Sequence, residues 1–241
     1  MNLRIFDSTD DLIRGAAATI LQRVSGKDRA TVALSGGSTP KPLYELLGAS
    51  PYREELAKTH VIWVVVDERY VPLEDPQSNA AMIQRTLFRD GMSPGHEFLR
   101  FRTELNDPAK TARQFESDWK GLAIDKLDVI LLGVGDDGHT ASLFPGTPVL
   151  DVNDRIAAEV FVPRLNQWRV TLTLPVIREA GLRMILAAGE SKRKILDDVR
   201  RGVDHPVVRA TGGAIESWWF VDQPATAGPE ASALRNRKER R

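Results

Sequence analysis

Ala30-Thr31-Val32-Ala33-Leu34-Ser35-Gly36-Gly37-Ser38-Thr39-Pro40 is a short apolar run that ends in a glycine-rich turn. Leu43, Leu46 and Leu47 then recur at helical spacing until Gly48. The reading is strand, glycine turn, helix, which is the building unit of an α/β protein. Working outward, Ser8 and Asp11 form a helix-capping pattern ahead of Leu12, Ile13, Ala16, Ala17, Ile20, Leu21 and Val24, which repeat at helical spacing up to Gly26. In the other direction Val61 to Val66 is an apolar, β-branched run, and Asn79 can cap a helix carrying Met82, Ile83 and Leu87.

Asp107-Pro108 opens a further helix through Trp119, since the first turn has no need of the N–H that proline lacks. Leu127 to Leu132, Val170 to Leu174 and Arg183 to Ala188 read as buried strands, the last leading through Gly189 into a helix over about Ser191 to Arg200. Trp218 to Val221 reads as a final strand, its tryptophans being sheet and core residues. Continuously apolar strands alternating with amphipathic helices predict a mostly parallel sheet with helices on both faces. Residues 1–222 are expected to form a single α/β domain. From Gln223 the chain is alanine-, proline- and arginine-rich without apolar periodicity, so 223–241 reads as a disordered basic tail.

Of the 241 residues 42% are apolar and 27% charged, enough for a sizeable buried core. Basic and acidic residues balance at 33 each, which leaves no global field to attract nucleic acid or a membrane surface. Within that balance the stretch after Gln223 carries +3 and the chain up to it −3. Any anionic ligand must therefore be held by a few local cations. The absence of cysteine removes disulfides, thiolate nucleophiles and cysteine-ligated metals, and leaves His60, His96, His139, His205 and selected carboxylates as possible general bases. The start has no signal-peptide pattern and no window reaches membrane-span length, so a cytoplasmic protein is expected.

In open α/β sheets ligands collect at the carboxyl ends of strands, so the loops there carry the chemistry. The Ser35–Pro40 turn lets the backbone approach a ligand closely and aims free N–H groups at it, which suits a phosphate; it lacks the Walker A pattern. Asp67-Glu68-Arg69 after the second apolar run offers a carboxylate to orient a reacting group and an arginine to hold an anion. Gly133, Gly135 and Gly138 match a dinucleotide fingerprint literally, but Asp136 and Asp137 would repel a pyrophosphate, and Pro145-Gly146 stops the helical stretch Thr140 to Phe144. The loop instead presents Asp137 and His139 to a cleft, while His60, His96 and His205 read as structural. Arg169 begins a strand, and Lys192 at a helix start opposes the helix dipole unless an anion lies nearby, which makes it a candidate phosphate ligand.

Taken together, the segments resemble the glucosamine-6-phosphate isomerase/6-phosphogluconolactonase family. The resemblance is carried by Leu34 to Pro40, by Asp67-Glu68-Arg69-Tyr70-Val71-Pro72 with Ser78-Asn79, by Leu132 to Pro145, and by Arg169 to Thr173 with Gly189 and Lys192, in family order across most of residues 30–200. It implies a modified Rossmann-like sheet and hydrolysis of 6-phospho-D-glucono-1,5-lactone to 6-phospho-D-gluconate in the oxidative pentose phosphate pathway, with no metal and no organic cofactor. It is similar in the same loops to the deaminases, which carry a glutamate five residues beyond the histidine; here that position is Phe144. An apolar side chain cannot shuttle protons, so the lactonase side is preferred to a deaminase or isomerase. A non-catalytic sugar-phosphate sensor is the other alternative, but too few residues precede 30 to house a DNA-binding helix-turn-helix.

On that resemblance Ser35, Gly36, Gly37, Ser38, Thr39, Arg69, Arg169 and Lys192 are expected to hold the phosphate, with His139 activating water and Asp137 or Asp67 orienting the imidazole. The partner expected is a small phosphosugar lactone, with no specific nucleic acid, no membrane, and a monomer or weak homo-oligomer.

Overall fold

Each apolar run forms a strand that is covered on both faces. The computed structural model describes residues 1–213 and 215–226. Its strands are β1 (Asn2–Phe6), β2 (Arg29–Leu34), β3 (His60–Val65), β4 (Asp67–Arg69), β5 (Glu97–Leu99), β6 (Val129–Gly133), β7 (Ala157–Val162), β8 (Gln167–Leu172), β9 (Leu182–Ala187) and β10 (Ser217–Asp222). Seven of them make the central sheet in the order β1-β10-β9-β6-β2-β3-β5, and every pairing in it is parallel. Val32, Ala33 and Leu34 of β2 and Val129 to Leu132 of β6 have no exposed surface, as strands at the middle of such a sheet require.

The helices are α1 (Thr9–Val24), α2 (Lys41–Leu47), α3 (Tyr52–Leu56), α4 (Asn79–Thr86), α5 (Pro108–Gly121), α6 (Leu174–Glu179), α7 (Arg193–Arg200), α8 (Pro206–Thr211) and α9 (Gln223–Thr226). Ser8 caps α1 by accepting from the Asp11 N–H, and Asp107 caps α5 by accepting from that of Lys110. The cap of α4 is Ser78, whose hydroxyl accepts from the Ala81 N–H, one residue earlier than the sequence suggests. This frees the Asn79 side chain for another contact, described below. No helix among the described residues is long and apolar enough to cross a membrane.

Three features depart from expectation. The run read as a buried parallel strand from Val170 is β8, which lies in a separate sheet of order β4-β8-β7 with antiparallel pairings. Val170, Thr171 and Leu172 are all fully buried, so the run looks the same from sequence whichever sheet it joins. The helix expected from Ser191 begins at Arg193, after a 3₁₀ turn over Glu190–Lys192. The domain also runs past Asp222: Gln223–Thr226 form α9, with the Ala225 N–H donating to the Asp222 carboxylate and the Arg193 Nε–H to the Pro224 carbonyl. The rest of the expected tail lies outside the described residues.

Asp198 on α7 accepts from Lys194 at 2.9 Å and Arg201 at 2.5 Å and faces His205 Nε2 at 3.5 Å. The hydrogen bonds from these two cations pull its carboxyl down from 3.8 to about 2. A folded value below the unfolded one stabilises the fold fully above pH 3.8 and is lost as the pH falls through about 2. Asp198→Asn is therefore expected to lower the urea midpoint at pH 6, with the deficit against wild type shrinking as the pH approaches 2.

Candidate active site

β2 leads to β3 on one side, whereas β6, the other neighbour of β2, leads onward to β9 on the opposite side. Connections that leave in opposite directions open a crevice at the carboxyl ends of the two strands. The cleft found there has a volume of about 210 Å³ and is lined by the Ser35–Pro40 loop, Asp67, Arg69, Asn79, Gly133 to Gly135, His139 to Ala141, Arg169, Leu186 and Lys192. Every expected site residue lines it except Asp137, which is held against His139.

The loop after β6 is closed by backbone bonds from Gly135 N–H to the His139 carbonyl and from Gly138 N–H to that of Gly135. His139 Nδ1 lies 2.5 Å from Asp137 Oδ1, and the His139 backbone N–H reaches the same oxygen at 3.3 Å. Gly135 has to be glycine, because a Cβ there would stand 2.0 Å from His139 Nδ1 and 2.7 Å from Asp137 Oδ1. Burial by itself would raise the Asp137 pKa, but the hydrogen bond from His139 and the charges of His139 and Arg164 more than offset this, so it lies below its ordinary value. The His139 ring stacks on Phe144 at 4.2 Å between centroids. Thr140 to Phe144 is no helix: Thr140 and Leu143 form an isolated bridge around Ala141, whose φ is +50°.

The two candidate carboxylates have different partners. Asp137 holds the imidazole; Asp67 Oδ2 accepts from the Ser142 hydroxyl at 2.6 Å, and its backbone carbonyl accepts from the Asn79 carboxamide at 2.7 Å. Asn79 also shapes the phosphate loop, since a Cβ on Gly36 would stand 1.8 Å from its Oδ1. Glu68 is buried and accepts from the N–H groups of Arg69, Asn79 and Ala80 and from the Ser78 hydroxyl, tying β4 to the start of α4. Burial pushes its carboxyl up, against the pull of those backbone donors.

The cleft also gathers cations. Arg169 is buried on β8, where loss of solvent lowers its proton affinity against the opposing charge of Asp67. Arg69 donates through Nη1 to the Gln77 carbonyl, and Lys192 Nζ pairs with Asp136 at 2.7 Å, so the anion that excuses a lysine at that helix start is on the chain itself. Ser35 Oγ, Arg69 Nε and Arg169 Nε are buried with no hydrogen-bond partner. Three such atoms in one cleft are what a site for an oxygen-rich anion requires. Among the described residues no group of three or more histidine or acidic side chains is placed to hold a metal ion.

The remaining histidines sit in structural settings. His60 pairs with Glu97, and His96 accepts from Trp63 Nε1 and contacts the Leu56 and Thr59 carbonyls. His205 packs on Gly138, against the loop that follows β6. Sequence reasoning missed Arg164, Ser142 and the role of Asn79. Ser78-Asn79 and the run containing Ser142 belong to the segments that carry the family resemblance, but that resemblance assigned neither side chain a contact, and Arg164 stood in none of them.

The sequence profile of the family described as "Glucosamine-6-phosphate isomerases/6-phosphogluconolactonase" matches residues 7–219. A 6-phosphogluconolactonase of Synechocystis is 38% identical over 218 residues, covering 86% of this chain and 87% of its own. One of Haemophilus influenzae is 34% identical over 201 residues, covering 80% and 85%. The crystal structure of 6-phosphogluconolactonase from Leishmania guyanensis superposes with a TM-score of 0.80 at 27% identity, covering 95% of this chain and 98% of that one.

Because Asn79 is pinned to Asp67, it cannot yield to a methyl group on Gly36. Gly36→Ala is expected to cost about 1–3 kcal/mol, read as a lowered thermal midpoint, and to weaken the binding of inorganic phosphate measured by calorimetry.

Proposed function

The chain belongs to the glucosamine-6-phosphate isomerase/6-phosphogluconolactonase family, and from that premise we propose that it hydrolyses 6-phospho-D-glucono-1,5-lactone to 6-phospho-D-gluconate, with His139 activating water. The observation that carries this reading is the meeting, in one cleft, of cations with unpaired buried donors and the His139–Asp137 pair. The phosphate would sit among the N–H groups of Gly36 to Thr39, Arg69, Arg169 and Lys192, and its dianionic charge would relieve the mutual repulsion of the arginines. Binding energy taken up there holds the lactone carbonyl beside His139.

With Nδ1–H donated to Asp137, the imidazole keeps Nε2 as a proton acceptor. Water attacks the lactone carbonyl carbon while its proton passes to Nε2, and Asp137 stabilises the imidazolium that forms. As the tetrahedral intermediate collapses, the bond from that carbon to the ring oxygen breaks and Nε2 returns the proton to the departing oxygen. Asp67, fixed by Ser142 and Asn79, faces the cleft as a hydrogen-bond acceptor for the sugar or the water. Phe144 occupies the position at which the deaminase reading needs a proton carrier, and stacked on His139 it serves as a wall for the ring.

We take the cytoplasm as the setting; members named for other compartments exist, among them a chloroplastic protein of rice and an endoplasmic bifunctional protein of human. The test is hydrolysis of freshly generated lactone above the spontaneous rate, with glucosamine 6-phosphate as the parallel substrate. Acceleration of the first alone is expected. His139→Asn should lower kcat by about 10²- to 10⁴-fold while inorganic phosphate still binds. Near-normal turnover in that variant overturns the assignment.

A further inference from the structure

We propose that Arg164 is a positioning residue for the catalytic base, acting on His139 through Asp137; the inference rests on the reading of His139 given above. Arg164 Nη2 meets Asp137 Oδ2 at 2.6 Å, while the other oxygen of the same carboxylate takes His139 Nδ1 at 2.5 Å. A carboxylate bonded only to the imidazole is free to turn about its own axis. With a cation on its second oxygen, the carboxylate plane is fixed and the imidazole with it.

The contacts also close on themselves. The Arg164 guanidinium lies 5.0 Å from the centre of the Phe144 ring, and Phe144 stacks on His139. Guanidinium, carboxylate, imidazole and phenyl thus form one loop of four groups, each touching the next. Arg164 stands on the Pro163–Leu165 turn between β7 and β8, and five residues further along β8 carries the buried Arg169. A single antiparallel hairpin therefore supplies both a cation that lines the cleft and a cation that pairs with the carboxylate holding the base. Arg164 itself does not line the cleft, so its effect on the reaction has to pass through Asp137.

The charge matters as well as the shape. Removing the cation leaves Asp137 a stronger acceptor and favours the protonated imidazole, which shifts the acid limb of the kcat profile to higher pH. Asp67 and Arg69 on β4, Arg169 on β8 and Lys192 after β9 line the same cleft as His139, and His205 lies against Gly138; none of them is altered by a substitution at Arg164.

The test compares Arg164→Gln and Arg164→Lys with the wild-type protein, measuring kcat and KM for lactone hydrolysis between pH 5 and 8 and following the His139 ring by NMR titration. Arg164 is half-exposed, so both variants are expected to fold. In Arg164→Gln kcat should fall about 5- to 10-fold with KM unchanged, and both the acid limb and the His139 titration should move to higher pH. Arg164→Lys should keep the acid limb of the wild type and recover part of kcat, because it retains the charge without the fork. Wild-type kcat and an unmoved titration in Arg164→Gln would overturn the proposal, and so would a loss carried by KM. His139→Asn separates the two readings: if it is inactive while Arg164→Gln is normal, only the role of Arg164 falls, whereas an active His139→Asn removes the base itself.

Discussion

Where β2 and β6 lie side by side, the chain leaves them in opposite directions, and the site follows from that divergence. Helices cannot cover the carboxyl ends of two strands whose connections part, so the backbone there meets solvent instead of a neighbour. The loop after β2 brings N–H groups and the loop after β6 brings an imidazole, and neither could build the cleft alone. The second sheet, β4-β8-β7, completes it from the side. It is stitched to the first by the Leu172 N–H donating to the Val66 carbonyl, and carries Asp67, Arg69 and Arg169 to the crevice.

The central sheet was legible wherever a strand is buried on both faces, because β2, β3, β6 and β9 read as mostly apolar runs, with Thr31 and Arg183 the polar residues inside them. β1 was not, since at the sheet edge Asn2 and Ile5 are exposed while Leu3, Arg4 and Phe6 are partly covered, which follows no period of two; β4 and β5, three residues each, are too short to show a period. The partner of β8 is a matter of distant pairing and leaves no mark on local periodicity. In the site, His139 and Asp137 were readable because they share one loop, and the sequence reading left open whether Asp137 or Asp67 takes the imidazole. That question is decided by Ser142, which engages Asp67 from a turn no spacing rule describes. Arg164 reaches Asp137 from a hairpin whose existence the sequence did not suggest.

The charge balance of the chain bears on capture of substrate. Up to Gln223 the net charge is −3 and the stretch beyond carries +3, so the chain as a whole neither draws nor repels a phosphosugar at long range. Arg69, Arg169 and Lys192 line one cleft, where the surrounding protein screens charge less than water would. Arg169 is buried with its Nε unpaired, so its charge is held at a cost that an anion brought within reach would offset.

Asn79, Asp67, Ser142 and the Gly36 backbone form a chain of contacts joining loops that follow three different strands. These ties are polar and, though buried, lie in the loops at one end of the strands, whereas the sheet beneath is held by apolar burial. The two parts therefore answer to different disturbances. Opening of these loops breaks a few hydrogen bonds and exposes little apolar surface, so it takes far less free energy than parting the strands. Catalytic competence and foldedness are then separate properties of this chain, with the first surrendered earlier on the way to the unfolded state.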